Sequence, residues 1–209
     1  MARIFRSATG IIAALTALAW VVAQLSGFAG YVADALGFIP ARFSGFQSHY
    51  PLAPSILTPL TATLVHGGWL HLATNLLVFI WCGNAVERAL GRGNMVVIYV
   101  VGAYAAAAAQ WLSDPLGMVP MVGASGAISA IMAAFALSFG RPRMFTRNIK
   151  INRWLHIAHL LVAWVIIQLM VGWVAGGQGF LLATPAHIGG FIAGLLLQRP
   201  LLLWKFRNA

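Results

Sequence analysis

The chain has 209 residues, of which 61% are hydrophobic and 8% are charged. Soluble domains carry about 25% charged residues, so this composition excludes an ordinary water-soluble domain and indicates an integral membrane protein. The formal net charge is +10, and the single cysteine, Cys82, excludes both an intramolecular disulfide and a cysteine-rich metal site.

Six segments are long and apolar enough to be predicted as membrane-spanning helices, since a span needs about 20 mostly apolar residues. The predicted spans are approximately 8–28, 68–86, 94–113, 124–140, 154–175 and 183–204. The first run follows Arg3 and Arg6 and resembles a signal peptide in that respect, but its length favours a retained helix. The long first loop, 29–67, contains four prolines and is expected to allow short interfacial helices.

The basic residues of the chain fall mainly on one side of this six-span order. Eleven of the 13 precede the first span or follow the second, fourth or sixth, and Arg199 lies near the end of the sixth span on the same side; Arg42 alone falls on the other side. Because Lys and Arg are retained in the cytoplasm, this distribution predicts cytoplasmic termini in a multi-pass protein of the cell (inner) membrane. The positive charge is therefore interpreted as a topology signal and a contact for anionic lipid, and not as a nucleic-acid surface.

Five polar residues from three distant segments are predicted at the outer end of the membrane. Ser125 lies at the start of the fourth span and His187 near the start of the sixth, and the second brings His66, His71 and Asn75. Ionisable groups at membrane depth are costly and usually functional. Taken singly, each residue also suits an interhelical hydrogen bond. Three histidines can bind zinc, but no carboxylate lies near them in sequence.

The combination of serine and histidine points to nucleophilic catalysis. A serine needs a base within hydrogen-bond reach to take its proton, and His187 is the candidate base for Ser125. The three acidic residues of the chain are Asp34, Glu87 and Asp114, and all are predicted away from this end or in loops. A Ser-His dyad is therefore favoured over a triad.

Small residues and a helix start provide the remaining requirements of such a site. Gly190 and Gly194 have G-x-x-x-G spacing on the helix of His187, and Gly126 lies on the helix of Ser125, so the two helices are expected to approach closely. Ser125 is predicted near a helix N-terminus, where unpaired N–H groups and the helix dipole favour a developing oxyanion. His71 and Asn75 are spaced i, i+4 on one helix face and can add side-chain donors.

Three motifs carry a resemblance to a known family: "GASG" at 123–126, "AHIGG" at 186–190 followed by Gly194, and "HGGWLHLATNLL" at 66–77. Together and in this order they resemble the rhomboid family of intramembrane serine proteases. The resemblance covers about residues 60–195, and the first span by topology. It implies an all-α integral membrane protein in which six transmembrane helices form one compact bundle over 1–209.

The resemblance also implies roles for individual residues. Ser125 would be the nucleophile and His187 the general base, with His71, Asn75 and the Ser125 backbone N–H forming the oxyanion hole. His66, which matches the outer histidine of the family motif, would be a supporting residue. Four glycines would also support the site: Gly123 and Gly126 at the serine turn, and Gly190 and Gly194 between the two helices. No cofactor is implied, and the substrates would be single-span membrane proteins cut in or near the bilayer.

The chain departs from the family pattern at two places. In the first loop, Arg42 follows Ala41, where many members have a Trp-Arg pair. Many members place Tyr four residues after the serine, where it packs against the histidine ring, but this chain has Ser129. The orientation of His187 must then come from elsewhere. Two other readings stay open: a catalytically inactive relative that binds membrane helices, and a small transporter or channel. The latter predicts polar residues through both halves of the bundle.

Overall fold

Eight α-helices and three short 3₁₀ turns make up the described part of the computed structural model, which comprises residues 7–47, 52–140, 144–177 and 183–207. These residues form no strand, apart from an isolated antiparallel bridge between Phe38 and Met121. The prediction of an all-α protein is confirmed. The helices are α1 (Ala8–Leu25), α2 (Ala29–Leu36), α3 (Thr58–Thr61), α4 (Trp69–Leu90), α5 (Arg92–Ser113), α6 (Ser125–Phe139), α7 (Ile149–Gly177) and α8 (Thr184–Lys205).

Within the described residues, five helices are long and apolar enough to cross a membrane: α1, α4, α5, α7 and α8. The remaining predicted span, 124–140, corresponds to α6, which has 15 residues. At 1.5 Å per residue α6 rises about 22 Å, less than the ~30 Å of a bilayer hydrocarbon core. Six spans and cytoplasmic termini therefore stay predictions.

Local backbone signals explain where the helices depart from the predicted boundaries. From hydropathy the second span is predicted to end near residue 86, but α4 extends to Leu90. The helix ends there at Gly91, whose φ of +93° is one that L side chains rarely adopt. Hydropathy also begins the fifth span at 154, whereas α7 begins at Ile149. There the Asn148 side chain accepts the Lys150 N–H at 2.9 Å, which satisfies a donor of the first turn.

The first loop contains the short helices α2 and α3, as its prolines allowed, and it also positions the start of α6. Phe38 and Met121 exchange two backbone hydrogen bonds of 2.9 and 2.8 Å. Two residues later, the Gly123 N–H donates to the Ala62 carbonyl at 2.9 Å. The segment that leads into α6 is thereby tied to the first loop at two points.

Glu87, near the end of α4, closes the N-terminus of α1. Its carboxylate accepts the backbone N–H groups of Ala8 and Thr9 at 3.0 and 2.9 Å, and the Thr9 hydroxyl at 2.8 Å. A carboxylate at this position satisfies unpaired donors and complements the positive end of the helix dipole. The Glu87 carboxylate therefore joins the end of α4 to the start of α1.

The centre of the bundle is built from small residues on α5, α6 and α8, and α8 has its most extensive contacts with the other two. A Cβ added to Gly190 would overlap the carbonyl oxygen of Gly126, and one added to Gly194 would overlap that of Ala130. Such close backbone approach is available only to glycine. It brings the first turns of α6 and α8 together at one end of the bundle.

By contrast, α7 lies at the edge of the bundle and packs mainly on α8. Many of its large apolar side chains are exposed, among them Ile166, Leu169 and Met170. Apolar exposure of this extent on a span-length helix is typical of a lipid-facing surface. Among the residues of α7 whose side chains the structure describes, one narrow face contacts the other helices.

Candidate active site

Ser125 is the first residue of α6, and a strained turn places it there. Gly123, two residues earlier, has a φ of +111°, and a Cβ at this position would lie 2.6 Å from Cε1 of His71. Both the backbone conformation and the lack of space require glycine. The turn leaves the Ser125 side chain half-buried at the N-terminal end of the helix.

The structure brings Ser125 together with His187, which lies in the first turn of α8. The Ser125 Oγ is 2.7 Å from the His187 Nε2, within hydrogen-bond distance. The His187 side chain is 8% exposed, so water has little access to its ring. This distance suits transfer of a proton from the hydroxyl to the imidazole.

A residue that the sequence analysis missed contacts the other side of the histidine ring. The Gln168 Oε1 lies 2.7 Å from the His187 Nδ1, and Gln168 is itself buried on α7. The available signal was a single amide side chain in an otherwise apolar stretch of the fifth predicted span. Polar groups at membrane depth face the bundle interior, which is where Gln168 lies.

Ser129, one helical turn after Ser125, does not orient the histidine. Its hydroxyl donates to the Ser125 carbonyl one turn back, at 2.8 Å, and its side chain is buried within α6. A second contact from α7 instead supports the first turn of α8. The Trp164 Nε1 donates to the His187 carbonyl at 3.3 Å, and the Trp164 ring stacks on Phe191 at 4.8 Å.

His71 and Asn75 project from α4 toward the serine turn. The His71 ring lies against Gly123, and the Asn75 Nδ2 would be 3.8 Å from a Cβ at that glycine. Among the described residues the Asn75 Nδ2 is buried without a hydrogen-bond partner. An unpaired buried donor costs about 1–3 kcal/mol, so this amide is available to a ligand beside Ser125.

His66, in the loop before α4, contacts the backbone that precedes the serine. Its Nε2 accepts the Ala124 N–H at 3.5 Å, and its ring packs edge-on against His71 with centroids 4.9 Å apart. Burial, together with the nearby His71, lowers the pKa of His66 from 6.5 to about 4. The ring is therefore neutral near neutral pH, as an acceptor of this hydrogen bond must be.

A cavity of about 20 Å³ adjoins Ser125, which is room for about one water molecule. Residues with small side chains form much of its lining: Ala62, Ala103, Ala106, Gly123, Gly126, Ala127, Ala183 and Ala186. No group of three or more His, Cys, Asp or Glu side chains suited to a metal ion gathers within the described residues.

Comparison with known proteins gives a consistent family assignment. Residues 54–204 match the family model described as "Rhomboid domain". The "Rhomboid protease GluP" of Bacillus subtilis is 31% identical over 147 residues, which are 70% of this chain and 26% of that protein. The "Rhomboid protease GlpG" of Pectobacterium atrosepticum is 30% identical over 135 residues, or 64% of this chain and 44% of that protein.

A third relative matches over more of its own length. The "Rhomboid protease GlpG" of Haemophilus influenzae is 26% identical over 173 residues, which are 79% of this chain and 81% of that protein. In the two more similar relatives above, the matched segment spans less than half of the protein.

Proposed function

Since this chain belongs to the rhomboid family, we propose that it is an intramembrane serine protease in which Ser125 is the nucleophile and His187 the general base. The chain is a multi-pass membrane protein, as its family and its apolar helices establish. The observation that carries the proposal is the 2.7 Å separation of the Ser125 Oγ and the His187 Nε2. The three relatives described above all bear the name of rhomboid proteases.

In the proposed reaction, Nε2 of His187 takes the hydroxyl proton as Oγ of Ser125 attacks the scissile carbonyl carbon. The resulting imidazolium protonates the leaving amine, the C–N bond breaks, and an acyl ester on Ser125 remains. A water molecule then attacks the ester while His187 again accepts a proton. The proton returns to the Ser125 oxygen as the acid product leaves, so the enzyme is regenerated.

Donors around the serine turn suit the oxyanion of the tetrahedral intermediate. The buried Asn75 Nδ2 has no hydrogen-bond partner among the described residues, and the His71 ring lies beside Gly123. The Ser125 backbone N–H belongs to the first turn of α6, where N–H groups lack intrahelical acceptors. Donors held in place before the reaction stabilise a developing charge without reorganisation.

The small residues near Ser125 support a restricted substrate site. The adjoining cavity of about 20 Å³ accommodates a water or a methyl-sized group, but no large side chain. We therefore propose that the residue on the acyl side of the cut is small. The scissile segment must be extended, because the carbonyl of an intact helix is hydrogen-bonded and covered by side chains.

The short length of α6 supports a site below the membrane surface. A helix that rises about 22 Å begins or ends well inside a bilayer core of ~30 Å. With the basic residues on the cytoplasmic side, Ser125 would lie toward the extracytoplasmic face. The proposed substrates are accordingly single-span membrane proteins, cut within or near their transmembrane segment.

Cleavage of a model single-span substrate in proteoliposomes tests the proposal. Wild-type protein is expected to cut the substrate and Ser125→Ala to leave it intact, with both proteins showing the same thermal unfolding midpoint. Equal cleavage by the two proteins would refute the serine mechanism. A protein that binds the substrate helix without cutting it would instead be the inactive relative, which the contact between Ser125 and His187 does not favour.

A further inference from the structure

We infer that Gln168 is a positioning residue that fixes the tautomer of His187, an inference that rests on the proposed dyad. A neutral imidazole carries one proton, on either Nδ1 or Nε2, and the hydrogen bond at one nitrogen decides which. Only the tautomer with the proton on Nδ1 leaves a lone pair on Nε2 to accept the serine proton.

The contact on Nδ1 selects that tautomer. The Gln168 Oε1 is 2.7 Å from Nδ1, and a carbonyl oxygen accepts hydrogen bonds but cannot donate them. Nδ1 must therefore carry the proton, and the free lone pair on Nε2 faces the Ser125 Oγ at 2.7 Å. The three residues are therefore linked: the hydrogen bond from Nδ1 to Gln168 keeps the proton off Nε2, and Nε2 can then accept a hydrogen bond from the Ser125 hydroxyl.

Burial makes the selection effective. Gln168 is 7% exposed and His187 8%, so water does not compete for Nδ1. The same face of α7 holds the backbone of His187 through the Trp164 indole, one helical turn before Gln168. In this chain the His187 ring is thus held from α7, by the Gln168 amide at Nδ1 and by the Trp164 indole at the backbone.

The Gln168 side chain differs from the buried acid of a catalytic triad because it is neutral. An aspartate there would also stabilise the imidazolium by its charge, whereas an amide only orients the ring. Loss of Gln168 should therefore weaken catalysis without abolishing it. The deficit should appear in kcat and leave KM unchanged, because the residue does not touch the substrate.

The test compares Gln168→Met, which keeps the side-chain length but removes the acceptor, with Gln168→Glu, which restores an acceptor. The matched control is Gln198→Met, because Gln198 is also buried and also joins two helices, through Ser138 at 3.1 Å. Gln198 is 11 residues beyond His187 on the same helix, or about 16 Å along its axis.

Gln168→Met is expected to lower kcat, and the rate at which a fluorophosphonate labels Ser125, by about 10-fold, the loss typical of one buried hydrogen bond. Gln168→Glu should restore labelling, and Gln198→Met should label like wild type. Equal loss in Gln168→Met and Gln198→Met would overturn the inference, since it would indicate general destabilisation. An altered KM with unchanged kcat would also overturn it.

Nitrogen NMR of isotope-labelled histidine, assigned against His187→Ala, supplies a readout that does not require activity. Wild type should show a single tautomer for His187 with the proton on Nδ1, and Gln168→Met should show a mixture. An unchanged single tautomer in Gln168→Met would refute the positioning role even if the protein is a protease. Cleavage that survives Ser125→Ala would refute the proposed function and leave the tautomer result standing.

Discussion

The Ser125 Oγ and the His187 Nε2 lie 2.7 Å apart, although the two residues are 62 positions apart and lie in the first turns of different helices. Backbone contact between α6 and α8, through Gly126 and Gly190, is the reason that side chains from two helix starts can meet. Catalysis by this pair should therefore depend on both members and on the packing behind them.

Removal of either member should eliminate the activity. We expect Ser125→Ala and His187→Ala each to lower kcat by on the order of 10⁴-fold or more, because nucleophile and base act as a unit. The double variant should lose no more than the worse single variant. Steady-state cleavage rates and fluorophosphonate labelling measure this, and losses that multiply in the double variant would show that the residues act independently.

Removal of the unpaired amide near the serine turn should slow the reaction and leave substrate binding intact. We expect Asn75→Ala to lower kcat by about 10²-fold to 10³-fold, the usual effect of losing one oxyanion donor. The control is Asn84→Ala on the same helix, since Asn84 donates to the Ile80 carbonyl of its own helix at 2.7 Å. Similar rates for Asn75→Ala and Asn84→Ala would exclude Asn75 from the oxyanion hole.

A methyl group added between α6 and α8 should disturb the dyad. In Gly190→Ala the new Cβ would overlap the Gly126 carbonyl oxygen, so the helices must separate. Overpacking of this kind costs about 1–3 kcal/mol, and a shift of ~1 Å at the reacting groups can reduce the rate by about 100-fold. We therefore expect both a lower unfolding midpoint and a lower cleavage rate.

Gly93→Ala is the control for that substitution. Gly93 lies in the first turn of α5 and has nothing within 4 Å of a Cβ built on it. It should unfold at the wild-type temperature or slightly above, because alanine favours the helix over glycine by about 1 kcal/mol in helix interiors. If Gly190→Ala behaved like Gly93→Ala, the close approach of the helices would be dispensable.

The stability of the folded protein should decrease as the pH falls from about 6.5 to about 4. The pKa of His66 is lowered from 6.5 to about 4 in the folded state by burial and by His71. Between these values the unfolded chain binds a proton that the folded protein does not, so protonation favours unfolding. Unfolding midpoints in detergent, recorded across this pH range, measure the effect.

The contribution of His66 is isolated by His66→Gln, which retains a side-chain acceptor for the Ala124 N–H but does not titrate. Its midpoint should decline less steeply with falling pH than that of wild type. Parallel curves for the two proteins would contradict the assignment of this pH dependence to His66.

Much of the fold follows from hydropathy alone, because a helix in lipid must present about 20 apolar residues whatever surrounds it. The segments predicted as spans correspond to α1, α4, α5, α6, α7 and α8, with end shifts set by local caps such as Asn148 and Gly91. The site could be anticipated to a similar degree. Ser125, His187, His71 and Asn75 are polar residues whose depth could be counted from the span ends, and the structure brings them to one end of the bundle.

Only the tertiary structure decided what holds the histidine. The sequence determined that Ser129 is too small to replace an aromatic ring. It also indicated that the Gln168 amide should face the bundle interior, but it could not indicate which residue the amide would meet there. Its contact with His187 depends on the rotation of α7 about its axis and on its packing against α8, which the Trp164 and Phe191 stack sets. Hydropathy specifies that a helix spans the membrane, whereas side-chain packing between helices specifies which way it faces.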